Sequence, residues 1–274
     1  MRRSLPSCAA AGVLAAVSFS AAAEQIDTGE LYRLPPADVV ILGELHDNPA
    51  HHAHQAIAVA TMGAQALVFE MLTERQALRI TPELLASEDR LEHALQWEAG
   101  GWPDFSMYYP IFLAAEQPVF FGGAVERDLV RAAVSDGAAD VMGGSAALFG
   151  LDRALDDGEQ ATREAGQMAA HCDALPEEML GGMVEAQRLR DAGLARAVIA
   201  AVAETGGPVA VITGNGHARE DWGIPRALEF AAPELDVITV AQFESVPGEA
   251  VPYDYWLVTD PAERDDPCAV FDER

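Results

Sequence analysis

The sequence predicts an α/β protein with a largely parallel central sheet and helices on both faces. Three observations carry this. Four short apolar runs, at 39–42, 66–69, 118–121 and 209–212, read as buried strands and are separated by stretches of helical character. Three of those runs end abruptly on polar groups: Glu44, Glu70 and, after a glycine pair, His217. Half of the residues are hydrophobic, enough for one large core in a mature chain of about 250 residues.

The chain begins with the pattern of an export signal over residues 1–23. Arg2 and Arg3 precede an apolar, small-residue stretch, and Ala21-Ala22-Ala23 supplies a cleavage pattern before Glu24. The apolar stretch is too short for a membrane anchor. Cys8 lies ahead of it, not behind it as a lipid-attachment cysteine would, so no lipobox is present. Residues 24–274 then form a single domain in the periplasm or outside the cell, with no integral membrane segment. The formal net charge of −27 argues against nucleic acid as a partner. No lysine is present, which removes Schiff-base and P-loop lysine chemistry. Cys172 and Cys268 remain in the mature chain and are free to pair, and no C-x-x-C pattern supports a thiolate zinc cluster.

After a lead-in closed by Pro35-Pro36, the first strand delivers Gly43, Glu44, His46, Asp47 and Asn48 at its end. Asn48-Pro49 reads as an N-cap with proline in the first helical turn. The helix carries His51, His52, His54 and Gln55, and His51 shares a face with His54 and Gln55. The second strand ends at Glu70, and Thr73 with Gln76 makes a capping box. The segment 100–110, with Trp102, Phe105, Tyr108 and Tyr109, is rich in turn residues. It reads as an aromatic lid or a wall for a flat ligand. The third strand closes at Gly122-Gly123, and residues of about 125–205 form a helical insertion before the fourth. The fourth strand ends in TGNGHARED, where glycines allow close approach of a ligand. Two more strands, at 237–243 and 255–259, precede an acidic tail from Asp260 that reads as loose.

If strands one, two and four are parallel neighbours, Glu44, Glu70 and His217 converge on one sheet edge, where open α/β sheets bind ligands. Two carboxylates with His46 and His217 suit a divalent metal. His46, Glu70 and His217 are the candidate ligands, and Glu44 or Glu70 is the candidate base for a bound water. Haem makes separate sense: its iron needs an axial ligand and its faces need apolar walls. Tyr108, Tyr109, His51 and His52 are the candidates for the iron, with His171 weaker. Arg75, Arg127 and Arg219 are the candidates for its propionates.

The segments ILGELHDNPAHHAHQ, FEM, GGWPDFSMYYP, HCDALP, AQRLRDAGLA and TGNGHARED, in this order, resemble the ChaN-like haem-binding uptake proteins. That family lies in a superfamily with the Tiki peptidases and the erythromycin esterases. The resemblance implies an exported haem-binding protein in haem or iron acquisition, with haem or another small ligand as its partner and a homodimer left open. It also implies an alternative, a metal-dependent hydrolase of small esters or peptides. Glu44, His46, Glu70 and His217 match the acid and histidine positions of the hydrolytic relatives and would be its catalytic set.

Overall fold

The computed structural model describes residues 23–266 and 268–269. The signal pattern at 1–22 lies outside the described residues. Seven strands form one sheet: β1 (Glu24–Gln25), β2 (Val39–Glu44), β3 (Ala66–Phe69), β4 (Val119–Gly122), β5 (Val209–Gly214), β6 (Val237–Phe243) and β7 (Tyr255–Val258). Their order is β1-β7-β6-β2-β5-β3-β4, and every neighbouring pair is parallel.

The central strands β2, β3 and β5 are buried at every position and mostly apolar because both faces are covered. Val39, Ile41, Val68, Val209 and Val211 pack with Leu189, Ala192, Ala195 and Val198 of the long helix Glu177–Thr205. The alternate residues Val40, Leu42, Leu67, Phe69, Ala210 and Ile212 pack with Val59, Phe105, Tyr108 and Phe112 on the other face. The two-residue period of a strand thus divides one run between two helical layers. The segment between β4 and β5 is helical, with its longest helix forming part of the layer on the first face. No helix among the described residues is long and apolar enough to cross a membrane.

The register sets the site. Glu44 lies opposite Gly214, and Phe69, one residue before Glu70, lies opposite Ile212. The chain leaves β2 toward β3 on one side and leaves β5 toward β6 on the other. The carboxyl ends of β2 and β5 therefore meet where the two directions part, the crevice where α/β sheets bind ligands.

Three expectations are corrected. The aromatic segment is not a turn-rich lid: Phe105–Phe112 is a helix, capped by Asp104 accepting from the Ser106 N–H at 2.8 Å. The tail is fastened, because Arg264 pairs with Asp47 at 2.6 Å and with Glu244 at 2.6 Å. The lead-in contains β1, whose two residues pair with β7 at the sheet's edge.

Candidate functional site

Glu44 ends β2 with a carboxylate that is only 1% exposed. Its Oε1 accepts from the Tyr108 hydroxyl at 2.7 Å and pairs with His46 Nδ1 at 2.7 Å. Its Oε2 accepts from Gln55 Nε2 at 2.7 Å and lies 3.4 Å from His52 Nδ1. Burial favours the neutral acid, yet the bonds from His46 and His52 outweigh it and hold the pKa at about 2. Glu44 is a buried, fully engaged anion that organises the groups around it.

The neighbouring helix Pro49–Met62 fixes the other histidines. Asn48 caps it through Ala50 N–H at 2.9 Å. His51 Nδ1 accepts from the Leu45 N–H at 2.9 Å, so its proton sits on Nε2 and goes to Thr259 Oγ1 at 2.9 Å. Burial, with the charge of His52, lowers its pKa to about 4. His52 lies 2.9 Å from the His46 carbonyl through Nε2 and stacks on Tyr108 with ring centroids 4.1 Å apart. His51, His52, Tyr108 and Tyr109, the residues expected to reach haem iron, have their polar side-chain atoms engaged within the protein. His51, His52 and Tyr108 are completely buried with both ring nitrogens, or the hydroxyl, already paired. Burial and the Glu44 charge push the Tyr108 phenol far above its ordinary pKa. Tyr109 donates to the Leu85 carbonyl at 2.8 Å.

Glu70, one residue beyond β3, is held from β5. Its Oε2 accepts from Thr213 Oγ1 and from the Gly214 N–H, both at 2.8 Å. Its Oε1 faces Arg190 Nη2 at 3.3 Å and His217 Nε2 at 3.4 Å. Burial opposes its charge, but His217, His46 and Arg190 overcome it and hold the pKa well below the carboxylate range. His217 is gripped from its other side by Asp191, with Nδ1 and Oδ1 2.6 Å apart. Burial disfavours its charge, but Glu70 and Asp191 prevail and push its pKa up to about 9. Held between two carboxylates, His217 favours its protonated form.

The structure thus brings Glu44, His46, Glu70 and His217 to one edge, as the sequence predicts. Within the expected metal set, His46 Nε2 stands 3.9 Å from Glu70 Oε2 and His217 Nε2 stands 3.4 Å from Glu70 Oε1. No group of three such side chains among the described residues is arranged to hold a metal ion.

His46 differs from its neighbours. Its side chain is 34% exposed, and its ring lies edge-on to Trp102 at 5.1 Å between centroids. With Nδ1 donating to Glu44, Nε2 is the one imidazole nitrogen of this cluster with an open face. Beside it, Glu70 and Trp102 border a cleft of ≈ 760 Å³, within the range of small-molecule pockets of about 300–1,000 Å³. Arg75, Arg79, Arg127, Arg131 and Arg190 line it. Five of the chain's 17 basic residues meet there; Arg75, Arg131 and Arg190 pair with Glu126, Asp128 and Glu70, while Arg79 and Arg127 bond backbone carbonyls. Arg219 is not among them: it pairs with Asp221 at 2.7 Å and stacks on Trp222 at 3.7 Å. His171 bonds the Gln167 carbonyl at a helix end, beside the Cys172–Cys268 disulfide.

Asp191 and Gln187 escape the sequence reading. Gln187, Arg190 and Asp191 recur at helical spacing on the Glu177–Thr205 helix, and this polar stripe is the signal that marks them.

Fold and site together define an all-parallel α/β protein with an acid–histidine edge beside an arginine-lined cleft. The chain belongs to the family described as "Haem-binding uptake, Tiki superfamily, ChaN", whose profile matches residues 31–228. Its fold is similar to that of ChaN of Campylobacter jejuni, a structure described as cofacial heme binding. The two share 18% identity at a TM-score of 0.63, over 82% of this chain and 88% of that one. The type III effector HopBA1 shares 12% identity over 85% of this chain and 92% of its own, at a TM-score of 0.45. A succinoglycan biosynthesis protein shares 13% identity over 76% and 66%, at a TM-score of 0.36. No curated protein matches the chain.

Proposed function

We propose that this protein is an exported haem-binding protein that serves haem or iron acquisition. The observation that carries the reading is the arginine-lined cleft, two of whose lining residues, Trp102 and Glu70, neighbour the partly exposed His46. Haem combines a flat apolar ring, two carboxylates and an iron that takes an axial imidazole. Trp102 and Met71 offer apolar surface, and Arg75, Arg79, Arg127 and Arg190 offer donors for the propionates. His46 offers Nε2 to the iron. Its Nδ1 donates to Glu44, whose carboxylate fixes the tautomer and raises the basicity of a ligating imidazole. Membership of a haem-binding uptake family and the resemblance in fold to a cofacial haem complex support the same ligand. Export draws support from the signal pattern at 1–23 and from the disulfide between Cys172 and Cys268, a bond of oxidising compartments.

The test is haemin titration of the mature chain followed in the Soret region. The wild-type band should shift and saturate. Arg75→Glu with Arg127→Glu, which places two like charges against the propionates, should weaken binding by about tenfold or more. No spectral change in the wild type removes the haem reading. Undiminished binding in the charge-reversed variant removes the cleft as its site.

A further inference from the structure

The chain beyond β7 crosses the carboxyl edge of the sheet. The Thr259 N–H bonds the Phe243 carbonyl at the end of β6, and the Ala262 N–H donates to Glu244 Oε1, each at 2.8 Å. Arg264 then reaches Asp47, which follows β2 and adjoins His46. Its guanidinium is held twice. Nε and Nη2 donate to the two Asp47 oxygens at 2.6 and 2.9 Å, and Nη1 and Nη2 donate to the two Glu244 oxygens at 2.6 Å. Asn48 Nδ2 joins them, donating to Glu244 Oε1 at 2.7 Å and to the Asp260 carbonyl at 3.0 Å. The loop that carries His46 is thus clamped from outside by one guanidinium between two carboxylates. Further on, Cys268 is bonded to Cys172, just past the helix Asp157–Ala170. Arg163 of that helix lines one cavity with Asp191, the partner of His217. The strap therefore ties the His46 side of the edge to the layer that holds His217.

The two fastenings depend on each other. Arg264, Asp47 and Glu244 all keep some exposure, and ion pairs near the surface contribute little unless their groups are held in place. The disulfide supplies that restraint by keeping the strap close to Asp47 at high effective concentration. The bond is also open to attack. Both cysteines are partly exposed, and Cys172 and Asp173 sit at φ of 58° and 54°, left-handed conformations that strain residues other than glycine. We propose that Arg264 is a positioning residue for His46, kept in place by the Cys172–Cys268 disulfide, and that a dithiol reductant loosens this edge by opening the bond. The dithiol gives two electrons and two protons: the S–S bond breaks, a thiol forms on each cysteine, and the reductant closes its own disulfide. The oxidised chain holds a ligand at His46 and the reduced chain releases it more readily. That last step rests on the haem reading; the loosening of the loop does not.

The experiment follows amide hydrogen exchange over residues 45–51 of the mature chain, oxidised and then reduced and capped with iodoacetamide. Haemin titration of the same samples follows once the reductant is removed. Reduction should speed exchange at Leu45, Asn48 and Ala50 at least about threefold and weaken haemin binding about threefold. Arg264→Gln with the disulfide intact should do the same. Reducing that variant should add little, since the disulfide acts through Arg264. Cys172→Ser with Cys268→Ser, which carries no cap, should match the reduced wild type. Exchange over 45–51 that ignores reduction overturns the proposal, as do independent, multiplying effects of reduction and Arg264→Gln. Haemin that binds both forms equally overturns the role of Arg264 at His46. Haemin that binds neither form removes the haem reading alone, and faster exchange on reduction then still supports the strap.

Discussion

Tyr108→Phe separates a structural tyrosine from an iron ligand. The hydroxyl lies 2.7 Å from Glu44 Oε1 and 3.3 Å from the His46 carbonyl, with the ring completely buried among Trp97, His52 and Phe105. Removing one oxygen leaves the packing in place and opens no methyl-sized cavity. The loss is therefore the hydrogen bond. The His46 carbonyl still accepts from His52 at 2.9 Å, so the cost falls on Glu44. A bond to a buried charge contributes about 1.5–3 kcal/mol. In a chain of this size about 2 kcal/mol lowers the melting temperature by about 4–8 °C. Urea denaturation and thermal melting of the mature chain measure it, and haemin titration of the same sample checks the spectrum. The account expects lower stability with an unchanged Soret band. Unchanged stability, or a shifted Soret band, would refute the reasoning, the second by making Tyr108 an iron ligand.

Gly214 has an ordinary φ of −66°, so its substitution strains no backbone, but a Cβ there would lie 2.9 Å from His46 Nε2. Gly214→Ala should displace the imidazole and weaken haemin binding about tenfold, the equivalent of about 1.4 kcal/mol; equal affinity would mean that His46 is not the ligand. The His217 pKa is raised from 6.5 to about 9, so its charge stabilises the folded state fully below pH 6.5 and ceases to do so as pH rises through about 9. Unfolding free energy followed between those values should decline in the wild type and stay flatter in His217→Gln. Burial lowers the His46 pKa while Glu44 and Glu70 raise it, with a net rise above 6.5, and iron needs its deprotonated Nε2. Haemin affinity should therefore fall on acidification through that raised value, and a pH-independent affinity would speak against an imidazole ligand. Cys172→Ser with Cys268→Ser opens a cross-link spanning 96 residues and should cost about 2–5 kcal/mol in denaturant titration.

The fold was legible wherever a strand is buried on both faces. Runs such as Val39–Leu42 and Val209–Ile212 must be apolar at every position, and that leaves a continuous signal. β1 left none: Glu24 and Gln25 are exposed edge residues whose pairing with β7 depends on tertiary position. The helix Phe105–Phe112 was hidden by its surroundings. Gly100, Gly101 and Pro103 precede it and Pro110 lies inside it, while the capping aspartate that starts it is one residue among these breakers. At the site, the convergence of Glu44, Glu70 and His217 followed from chain order alone, because parallel strands deliver their ends to one edge. Which of those groups keeps a free lone pair did not follow. That depends on Asp191, Gln55 and Thr213, which reach the cluster from other elements with side chains that look ordinary in sequence. His46 and His52 are alike as letters, and only packing makes one half-open and the other closed.

The central claim is that His46 presents the open nitrogen of the haem site. Its most direct test is His46→Gly, titrated with haemin by Soret absorption and electron paramagnetic resonance, with and without added imidazole. The account predicts that the variant loses the imidazole-ligand spectrum and that free imidazole restores it in the vacated space beside Glu44 and Trp102. A variant whose haemin spectrum matches the wild type without added imidazole would contradict the claim.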